Sequence, residues 1–312
     1  MEHLTIAQIN LLIKNYGFKA AYSLKVENLT ATWHALCGMG IPKERLCLAP
    51  EAEYPFASAL LLLVAQYRPF IKGSLLPAYY FASNAAYHKA NALVNELTAK
   101  GYFAKRIEVP LAALVEQAGL GTLCKNSMLD IAGFGTRTVL FTLATNACMP
   151  DDILPQKPQG CGNCTICSSA CPAQAINADF GLDPSRCIRT YMESAPMPNW
   201  VMERLSGFLG CEVCQAACPR NAFIEPVKPA DDALLAFELR TLLRGELKAA
   251  SAYAGKNMCT RARLIAQAAA LCALTKRHDL LDEVLALTNH ELCSIREAAI
   301  WAKGILQSSL KS

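Results

Sequence analysis

The chain has 312 residues, 53% of them hydrophobic, and its 30 basic and 26 acidic side chains leave a formal net charge of +4. This length accommodates two or three domains with a sizeable core, and the small charge permits an RNA partner without indicating one. The longest apolar run, residues 57–65, is too short to span a bilayer, and the start MEHLTIAQINLL lacks the basic and apolar parts of a secretory signal. We therefore expect no membrane association.

The first part of the chain alternates predicted helices and strands, which predicts an α/β domain over residues 1–150. The clearest strand is the continuous apolar run over residues 57–67, which is typical of a strand covered on both faces. The other elements follow from spacing: the predicted helices cover residues 5–15, 29–37 and 83–100, and the other predicted strands cover residues 19–26, 102–109 and 138–145.

The segment between the last two strands, residues 118–138, is rich in glycine. Gly119 and Gly121 have the spacing that opens a dinucleotide-binding loop, but no clear strand precedes them and Cys124 stands at the third glycine position. We therefore interpret these glycines as giving backbone turns or close approach to a ligand. Lys125 is a candidate contact for an anionic group, although a solvated lysine explains it equally well.

Eight of the fifteen cysteines lie between residues 161 and 219. The first run, CGNCTICSSACP, has the C-x2-C-x2-C-x3-C-P spacing that bacterial ferredoxins use for 4Fe–4S clusters. The second run, CEVCQAACP, lacks the leading cysteine, and Cys187 is the only cysteine nearby that can complete the set. Two linked runs that both end in CP indicate two 4Fe–4S clusters. Zinc sites and disulfides are poorer interpretations, because structural zinc takes four ligands in paired groups.

The spacing also predicts which cysteines share a cluster. Thiolate is the ligand form of cysteine, and the fourth cysteine of a ferredoxin run ligates the other cluster when two are present. By this rule cluster 1 takes Cys161, Cys164, Cys167 and Cys218, and cluster 2 takes Cys171, Cys187, Cys211 and Cys214.

The other seven cysteines show no ligand spacing, and we expect most of them to be buried small apolar side chains. A cysteine-rich chain with ferredoxin motifs and no secretory signal is typical of a reducing compartment, so we expect a cytoplasmic protein. We also expect a monomer. The seven are Cys37, Cys47, Cys124, Cys148, Cys259, Cys272 and Cys293.

The cluster domain is expected over residues 151–228, and the remaining residues 229–312 have a helical pattern. Two pieces of this tail, TRARLIAQAAALCAL and CSIREAAIWAKGIL, share an arginine followed by an alanine-rich sequence, which predicts a HEAT-like tail. The predicted fold class is therefore α+β and multidomain. The predicted tail helices cover residues 231–243, 246–254, 260–275, 280–287 and 292–306.

From about residue 79 onward the chain resembles the epoxyqueuosine reductases and their relatives, the corrinoid-dependent reductive dehalogenases. Five pieces carry the resemblance: the pair Tyr87-His88, the AGLG-x3-KN piece that ends at Asn126, the sequence Gly135-Thr136-Arg137 before a strand, the order of the eight cysteines and the helical tail. The cysteine order is the most specific of these.

The resemblance implies a cobalamin-binding α/β domain beside the two clusters and a tail that helps to hold tRNA. Electrons from a donor such as ferredoxin or flavodoxin would pass through the clusters to cobalt. The reduced cobalt would attack the epoxide carbon, and a protein acid would protonate the leaving oxygen. A histidine such as His88 is more often a hydrogen-bonded, partly buried side chain than a ligand contact. The implied cofactor-binding residues are Gly119, Gly121, Lys125, Asn126 and His88.

Some positions depart from the family pattern. The acidic residue that the family places before AGLG, thought to be the proton donor, aligns with Lys105, and the nearest carboxylate, Glu108, is our catalytic candidate. The glycine that precedes the lysine in the family is Cys124 here, and the tryptophan is Thr122.

Two classes of function compete. The first is an iron–sulfur oxidoreductase that resembles epoxyqueuosine reductase, passes electrons through two clusters to cobalamin or a similar cofactor, and acts on modified tRNA or a small molecule. The alternative is a ferredoxin-like electron-transfer protein without its own catalysis, or a family member that has lost catalysis. We favour the enzyme, because a carrier does not need the long α/β domain before the clusters. Arginines and lysines of the second half form either an RNA-facing strip or, as we prefer, a solvated face: Arg186, Arg189, Arg261, Arg263, Lys276 and Arg277.

Overall fold

The computed structural model describes residues 2–36, 46–151, 153–177 and 181–309. The chain folds into two compact units. The first unit comprises Met1–Tyr67 and Ala85–Asn163, and the second comprises Arg68–Asn84 and Cys164–Ser312. The predicted division into three domains, at residues 150 and 228, stays a prediction.

The first unit is built on a four-stranded sheet with helices around it. Its first helix begins at a capping box, in which the Thr5 hydroxyl accepts from the Gln8 amide and the Gln8 side chain accepts from the Thr5 amide. The helices are α1 (Ile6–Lys14), α2 (Thr30–Leu36), α3 (Pro50–Glu53), α4 (Ala78–Ala99, whose start belongs to the second unit) and α5 (Leu111–Gln117). The strands are β1 (Ala20–Leu24), β2 (Ala59–Gln66), β3 (Ala104–Ile107), β4 (Gly121–Leu123), β5 (Leu129–Ile131) and β6 (Thr138–Thr145).

The sheet has the strand order β1-β2-β6-β3, and each neighbouring pair is antiparallel. Leu60 and Leu62 of β2 pack with Trp33 and Leu114 in one core, and Leu61, which alternates to the opposite face, is equally inaccessible. The prediction of a strand covered on both faces is therefore confirmed. Strands that alternate with helices along a chain ordinarily pair in parallel, so the antiparallel pairing is a feature that the alternation did not reveal.

The predicted elements of this unit correspond to observed ones. The strands predicted over residues 19–26, 102–109 and 138–145 are β1, β3 and β6, and α4 begins five residues before its predicted start. Residue 37, the predicted end of the second helix, lies outside the described residues. The hairpin formed by β4 and β5 was not predicted, because strands of three residues give too short an alternation to recognise.

The second unit contains most of the cysteines and the helices of the tail. Its remaining short elements around the cysteines are α6 (Ile166–Ala170), β7 (Ile176–Asn177), β8 (Gly181–Leu182), α7 (Ile188–Tyr191), α8 (Asn199–Met202) and α9 (Val213–Ala217). The tail helices are α10 (Asp231–Ala236), α11 (Leu239–Leu243), α12 (Lys248–Ala254), α13 (Arg261–Leu274), α14 (Leu281–Ala286) and α15 (Cys293–Ser309).

The tail is helical, as predicted, with one break. The helix predicted over residues 231–243 is divided into α10 and α11, because Glu238 starts a new helix by accepting a hydrogen bond from the Thr241 amide at 2.8 Å. α13 packs against α15, and both helices contribute fully buried alanines such as Ala268 and Ala299 to one core. Among the described ranges, no helix is both long and apolar enough to cross a membrane.

Candidate metal centre

The two cysteine runs fold into the same local structure. Cys167 lies in α6 and Cys214 lies in α9, and both helices end at the cysteine of the CP pair. Cys171 and Cys218 leave their helices in extended conformation, with φ/ψ of −67/116° and −71/123°. A proline follows each of them and has no N–H with which to continue the helix. Since α6 also packs against α9, the two runs are paired structural equivalents.

The thiols of the second unit lie close enough to affect one another's charge. Burial raises the pKa of Cys214 to about 12, and the thiols of Cys211, Cys167, Cys187 and Cys171 add to the rise. Burial likewise raises the pKa of Cys211, with a smaller contribution from Cys187 and Cys171. Such thiols stay protonated at neutral pH unless a cation replaces the proton, which is what ligation to iron does. The proximity of these five thiols, and not their raised pKa values, is what fits a metal cluster.

Backbone amides donate to sulfur atoms of both cysteine runs. The Ala175 amide donates to Cys171 Sγ over 3.3 Å, and the Lys125 amide donates to Cys161 Sγ over 3.5 Å. Donors of this kind stabilise the thiolate form and help to set the reduction potential of iron–sulfur clusters. The hydrogen bonds to Cys171 and Cys161 are therefore of the kind expected if these sulfur atoms are cluster ligands.

The loop that leads into Cys211 is fixed by a polar side chain from the tail. Gln267 is fully buried in α13; its Oε1 accepts from the Leu209 amide at 2.8 Å and its Nε2 donates to the Met192 carbonyl at 2.9 Å. Leu209 has a φ of 63°, which is unusual for a residue with a side chain. The Ser206 hydroxyl hydrogen-bonds to Cys211 and lowers the pKa of its thiol against the effect of burial. Our sequence analysis missed Gln267, although a glutamine inside an alanine- and leucine-rich helix is a recognisable signal.

The remaining cysteines behave as predicted. None of the cysteines in the described ranges forms a disulfide, and Cys293 is exposed, while Cys37 lies outside those ranges. Among the described residues, no group of three or more His, Cys, Asp or Glu side chains is placed to hold a single metal ion, whereas the four thiolates of a 4Fe–4S cluster each bind a different iron. The assignment of four ligands to each cluster stays a prediction. The buried, non-ligand cysteines are Cys47, Cys124, Cys148, Cys259 and Cys272.

Packing of the chain itself explains the two candidate glycines. Gly119 has a φ of +68° and follows α5, where the Leu120 amide donates to the Val115 carbonyl at 3.0 Å, as at a glycine-terminated helix. A Cβ on Gly121 would lie 2.6 Å from both the Asp130 carbonyl oxygen and Val115 Cγ1. Gly119 thus allows a turn and Gly121 allows a close approach of two backbone segments. A role of either glycine in cofactor binding stays a prediction.

Lys125 and Asn126 lie in the turn between β4 and β5. The Cys124 amide donates to the Met128 carbonyl and the Ser127 amide donates to the Cys124 carbonyl, each at 2.8 Å, and Ser127 has a φ of 59°. The Asn126 side chain is 2% exposed, and its Oδ1 accepts from the Met128 amide at 3.2 Å. Its Nδ2 has no hydrogen-bond partner in the part of the chain that the structure describes. A buried donor without a partner costs about 1–3 kcal/mol, so this amide favours an acceptor from outside the described residues.

His88 and Glu108 both lie at the surface of the first unit. His88 is exposed on α4 beside the Tyr87 ring, with 5.4 Å between the ring centroids, and is therefore not the partly buried histidine of the alternative interpretation. The Glu108 side chain is 63% exposed and lies 3.7 Å from Arg106. The Arg106 guanidinium in turn lies 4.8 Å from the centroid of the Tyr87 ring.

Arg137 is buried, and two of the candidate basic residues of the second half pair with an acidic neighbour. Arg137 is only 2% exposed, and its guanidinium lies 5.6 Å from the centroid of the Tyr67 ring. In the second unit, Arg189 and Arg263 both pair with Glu193, at 2.6 and 3.2 Å. Pairing with acidic neighbours favours the solvated face over an RNA-facing strip for these two arginines.

The first unit contains a cavity of about 260 Å³ near the end of α5. Its lining includes Lys25, Glu27, Gln117 and Asp151. Pockets that enclose drug-sized ligands measure about 300–1,000 Å³, so this cavity suits at most a small polar molecule and does not hold a corrin.

Comparison with known proteins identifies the cysteine region. The family described as a 4Fe-4S double cluster binding domain matches residues 160–221. The chain contains a double 4Fe–4S domain. This match covers all eight predicted ligands and confirms the prediction of iron–sulfur clusters.

Epoxyqueuosine reductases are similar to parts of the chain in sequence and to most of it in fold. The epoxyqueuosine reductase of Staphylococcus aureus is 31% identical over 209 residues, which cover 62% of this chain and 52% of that protein. The structure of epoxyqueuosine reductase from Streptococcus thermophilus has a TM-score of 0.75 and 18% identity, and the match covers 97% of this chain and 90% of that one. An epoxyqueuosine reductase solved with an epoxyqueuosine-modified tRNA-Tyr stem loop has a TM-score of 0.71 and 22% identity, with coverage of 97% and 91%. The resemblance to epoxyqueuosine reductases is thereby confirmed.

The sequence matches cover only part of the length of the curated relatives, and the structural matches have low sequence identity. The alignments span about half or less of the length of the curated relatives, between 34% and 52% for three of them. The structural matches, at 18% and 22% identity, show that the chain has the fold of epoxyqueuosine reductase, an α/β mixture with a 4Fe–4S domain.

Proposed function

We propose that the protein is an iron–sulfur oxidoreductase that reduces an epoxide on a modified tRNA nucleoside, as the name epoxyqueuosine reductase implies for its relatives. One observation carries the proposal: the double 4Fe–4S domain at residues 160–221 is part of a chain that has the fold of epoxyqueuosine reductase over 97% of its length. A protein that only carried electrons would not need the large first unit.

The eight cysteines hold the clusters in this proposal. Cluster 1 is ligated by Cys161, Cys164, Cys167 and Cys218, and cluster 2 by Cys171, Cys187, Cys211 and Cys214. The closeness of the Cys214 thiol to those of Cys211, Cys167, Cys187 and Cys171, and the amide donors to Cys161 and Cys171, support cysteine-held clusters here, and the division of the ligands rests on the spacing rule. Removal of the epoxide oxygen as water consumes two electrons and two protons, and two one-electron clusters supply that number of electrons.

Cobalamin is the second cofactor that we propose. When bound, it supplies a strong nucleophile for the epoxide carbon. Asn126 fits such a group, because its buried Nδ2 is a donor without a partner among the described residues and cobalamin carries amide carbonyls at its periphery. Lys125, next in the same turn, and His88 on α4 are further candidate contacts.

The proton donor is where this chain departs from the family pattern. Lys105, at the position of the family's acid, lies on β3 with its ammonium 5.2 Å from the centroid of the Tyr54 ring. Glu108, the alternative, is exposed and paired with Arg106. We propose Glu108 as the proton donor, and Glu108→Gln with Glu53→Gln as a matched surface control tests it: a loss of turnover with unchanged clusters supports the role, and unchanged turnover overturns it.

The tail and the partners complete the proposal. We propose that α13 and α15 form a HEAT-like pair that helps to hold tRNA, that a ferredoxin or flavodoxin donates the electrons, and that the protein is a cytoplasmic monomer. The tRNA-bound relative supports the choice of tRNA as substrate.

The test uses anaerobically purified protein. Iron and sulfide analysis should give about eight irons per chain for two 4Fe–4S clusters. Cobalamin titration should then change the visible spectrum of the corrin, and the loaded enzyme with a reductant should convert epoxyqueuosine in tRNA to queuosine. If the clusters are loaded but the corrin spectrum does not change and no queuosine forms, the proposal of an enzyme is overturned. That result would favour the alternative, an electron-transfer protein that serves another reductase.

A further inference from the structure

We propose that the β4–β5 hairpin sets the reduction potential of the cluster ligated by Cys161, through the backbone N–H of Lys125. The inference rests on the proposed function, since it takes Cys161 as a ligand of cluster 1. It assigns the hairpin a positioning role, because Lys125 acts on the cluster through the sulfur of a ligand.

The hydrogen bond to Cys161 comes from a distant part of the chain. The Lys125 amide lies 3.5 Å from Cys161 Sγ, and the two residues are 36 positions apart. The corresponding bond to Cys171 is local, since its donor Ala175 is four positions away and belongs to the same turn. The first cysteine therefore depends on a separate structural element for its donor.

The segment before Cys161 is held to the hairpin by one direct hydrogen bond and by two contacts that run through Glu116 of α5. The Thr122 hydroxyl donates to the Pro158 carbonyl at 2.8 Å. Lys157 forms an ion pair with Glu116, whose side chain is 15% exposed. The other Glu116 oxygen accepts from the Leu123 amide at 2.8 Å, so one carboxylate ties α5, the hairpin and the approaching chain together.

Gly160 allows the close approach. Its φ is +74°, and a Cβ at this position would lie 3.1 Å from Thr122 Cγ2. A side chain would therefore push the segment away from β4 and lengthen the distance between Lys125 and Cys161.

The direction of the effect follows from charge. Reduction adds one negative charge to a cluster and its thiolates, and an N–H donor to sulfur stabilises the more negative form. The Lys125 amide should therefore raise the potential of the cluster ligated by Cys161. Its removal should lower that potential and leave the other cluster unchanged.

The experiment compares Lys125→Pro with Lys125→Ala in the full, cluster-loaded chain. Both variants lack the lysine side chain, but only proline lacks the N–H. Redox titration followed by electron paramagnetic resonance, without cobalamin or tRNA, should show a lower midpoint potential for one cluster in Lys125→Pro than in Lys125→Ala. The other cluster should have the same potential in both.

A second variant covers the case in which proline disturbs the hairpin. Thr122→Val keeps every backbone N–H and removes the hydroxyl that holds Pro158, with Thr122→Ser as its control. It should lower the potential of the same cluster, by less than Lys125→Pro does. Equal potentials in both pairs of variants, or an equal shift of both clusters, would overturn the inference. Failure of cobalamin binding or tRNA turnover would overturn the proposed function alone, because the potentials are measured without either.

Discussion

The two cysteine runs share one backbone form and differ in what surrounds their sulfur atoms. α6 and α9 end in the same way at Cys171 and Cys218. The second run is approached by a loop that Gln267 of the tail holds from its buried position, whereas the first begins at a cysteine that receives its hydrogen bond from a hairpin. The motif thus specifies the local turn, and remote segments specify the environment of each cluster.

The largest expected effect tests how the two runs share their ligands. Cys161→Ser and Cys218→Ser should remove the same cluster, and Cys171→Ser should remove the other, because the last cysteine of each run ligates the partner cluster. Each variant should lose about four of about eight irons, measured by iron analysis and by the spectrum of the cluster that remains. Cys293→Ser, an exposed position, is the control. Loss of different clusters from Cys161→Ser and Cys218→Ser would contradict the crossed assignment.

Gln267 should have the next largest effect, on stability. Gln267→Leu leaves the Leu209 amide and the Met192 carbonyl buried without partners. The free energy of unfolding should fall by about 3 kcal/mol, measured by urea denaturation of the loaded protein under anaerobic conditions. Gln307→Leu on the exposed side of α15 should change it by less than about 0.5 kcal/mol. Equal effects of the two substitutions would show that the tail does not hold the second run.

A smaller effect is expected where the hairpin meets the chain before Cys161. Thr122→Val removes one hydrogen bond, to the Pro158 carbonyl, and should cost about 1 kcal/mol of unfolding free energy. Thr122→Ser keeps the hydroxyl and should cost less. A loss as large as that for Gln267→Leu would mean that the first run is supported as strongly as the second.

The smallest expected effect is a difference in alkylation between the ligand cysteines and the buried, non-ligand cysteines after iron is removed. Burial raises the pKa of Cys259 to about 11 and that of Cys272 to about 12, so both thiols should resist alkylation near pH 7. Removal of iron by a chelator should expose Cys161 and Cys164 to iodoacetamide and leave Cys259 and Cys272 unmodified, as read by mass spectrometry. Cys293 should react before and after. Rapid labelling of Cys272 in the folded chain would contradict its burial.

Short-range features were predictable from the sequence. The cysteine runs depend on spacing over a few residues, and β2 and the tail helices depend on patterns within one segment, so both could be predicted without knowledge of the fold. The break between α10 and α11 was missed because Glu238 acts as a cap only if the preceding helix ends at Ala236.

Features that depend on distant partners were not predictable. Glycine spacing indicated a turn at Gly119 but not that Gly121 faces the Asp130 carbonyl across a hairpin. The contact of Arg137 with the Tyr67 ring was not predictable, because the two residues are far apart in the sequence. The amide of Lys125 carries no sequence signal at all, since any residue except proline provides the same N–H.

The contact between α13 and α15 has a consequence for how the tail can diverge. Both helices place fully buried alanines in their shared core, among them Ala268, Ala299 and Ala302. A methylene added to such a core costs about 1–3 kcal/mol unless its neighbours shrink in compensation. Substitutions in this core must therefore accumulate in matched pairs, whereas exposed positions such as Ile300 and Ile305 can change one at a time. Relatives with different partners should accordingly differ on the outer surface of the tail and keep its inner one.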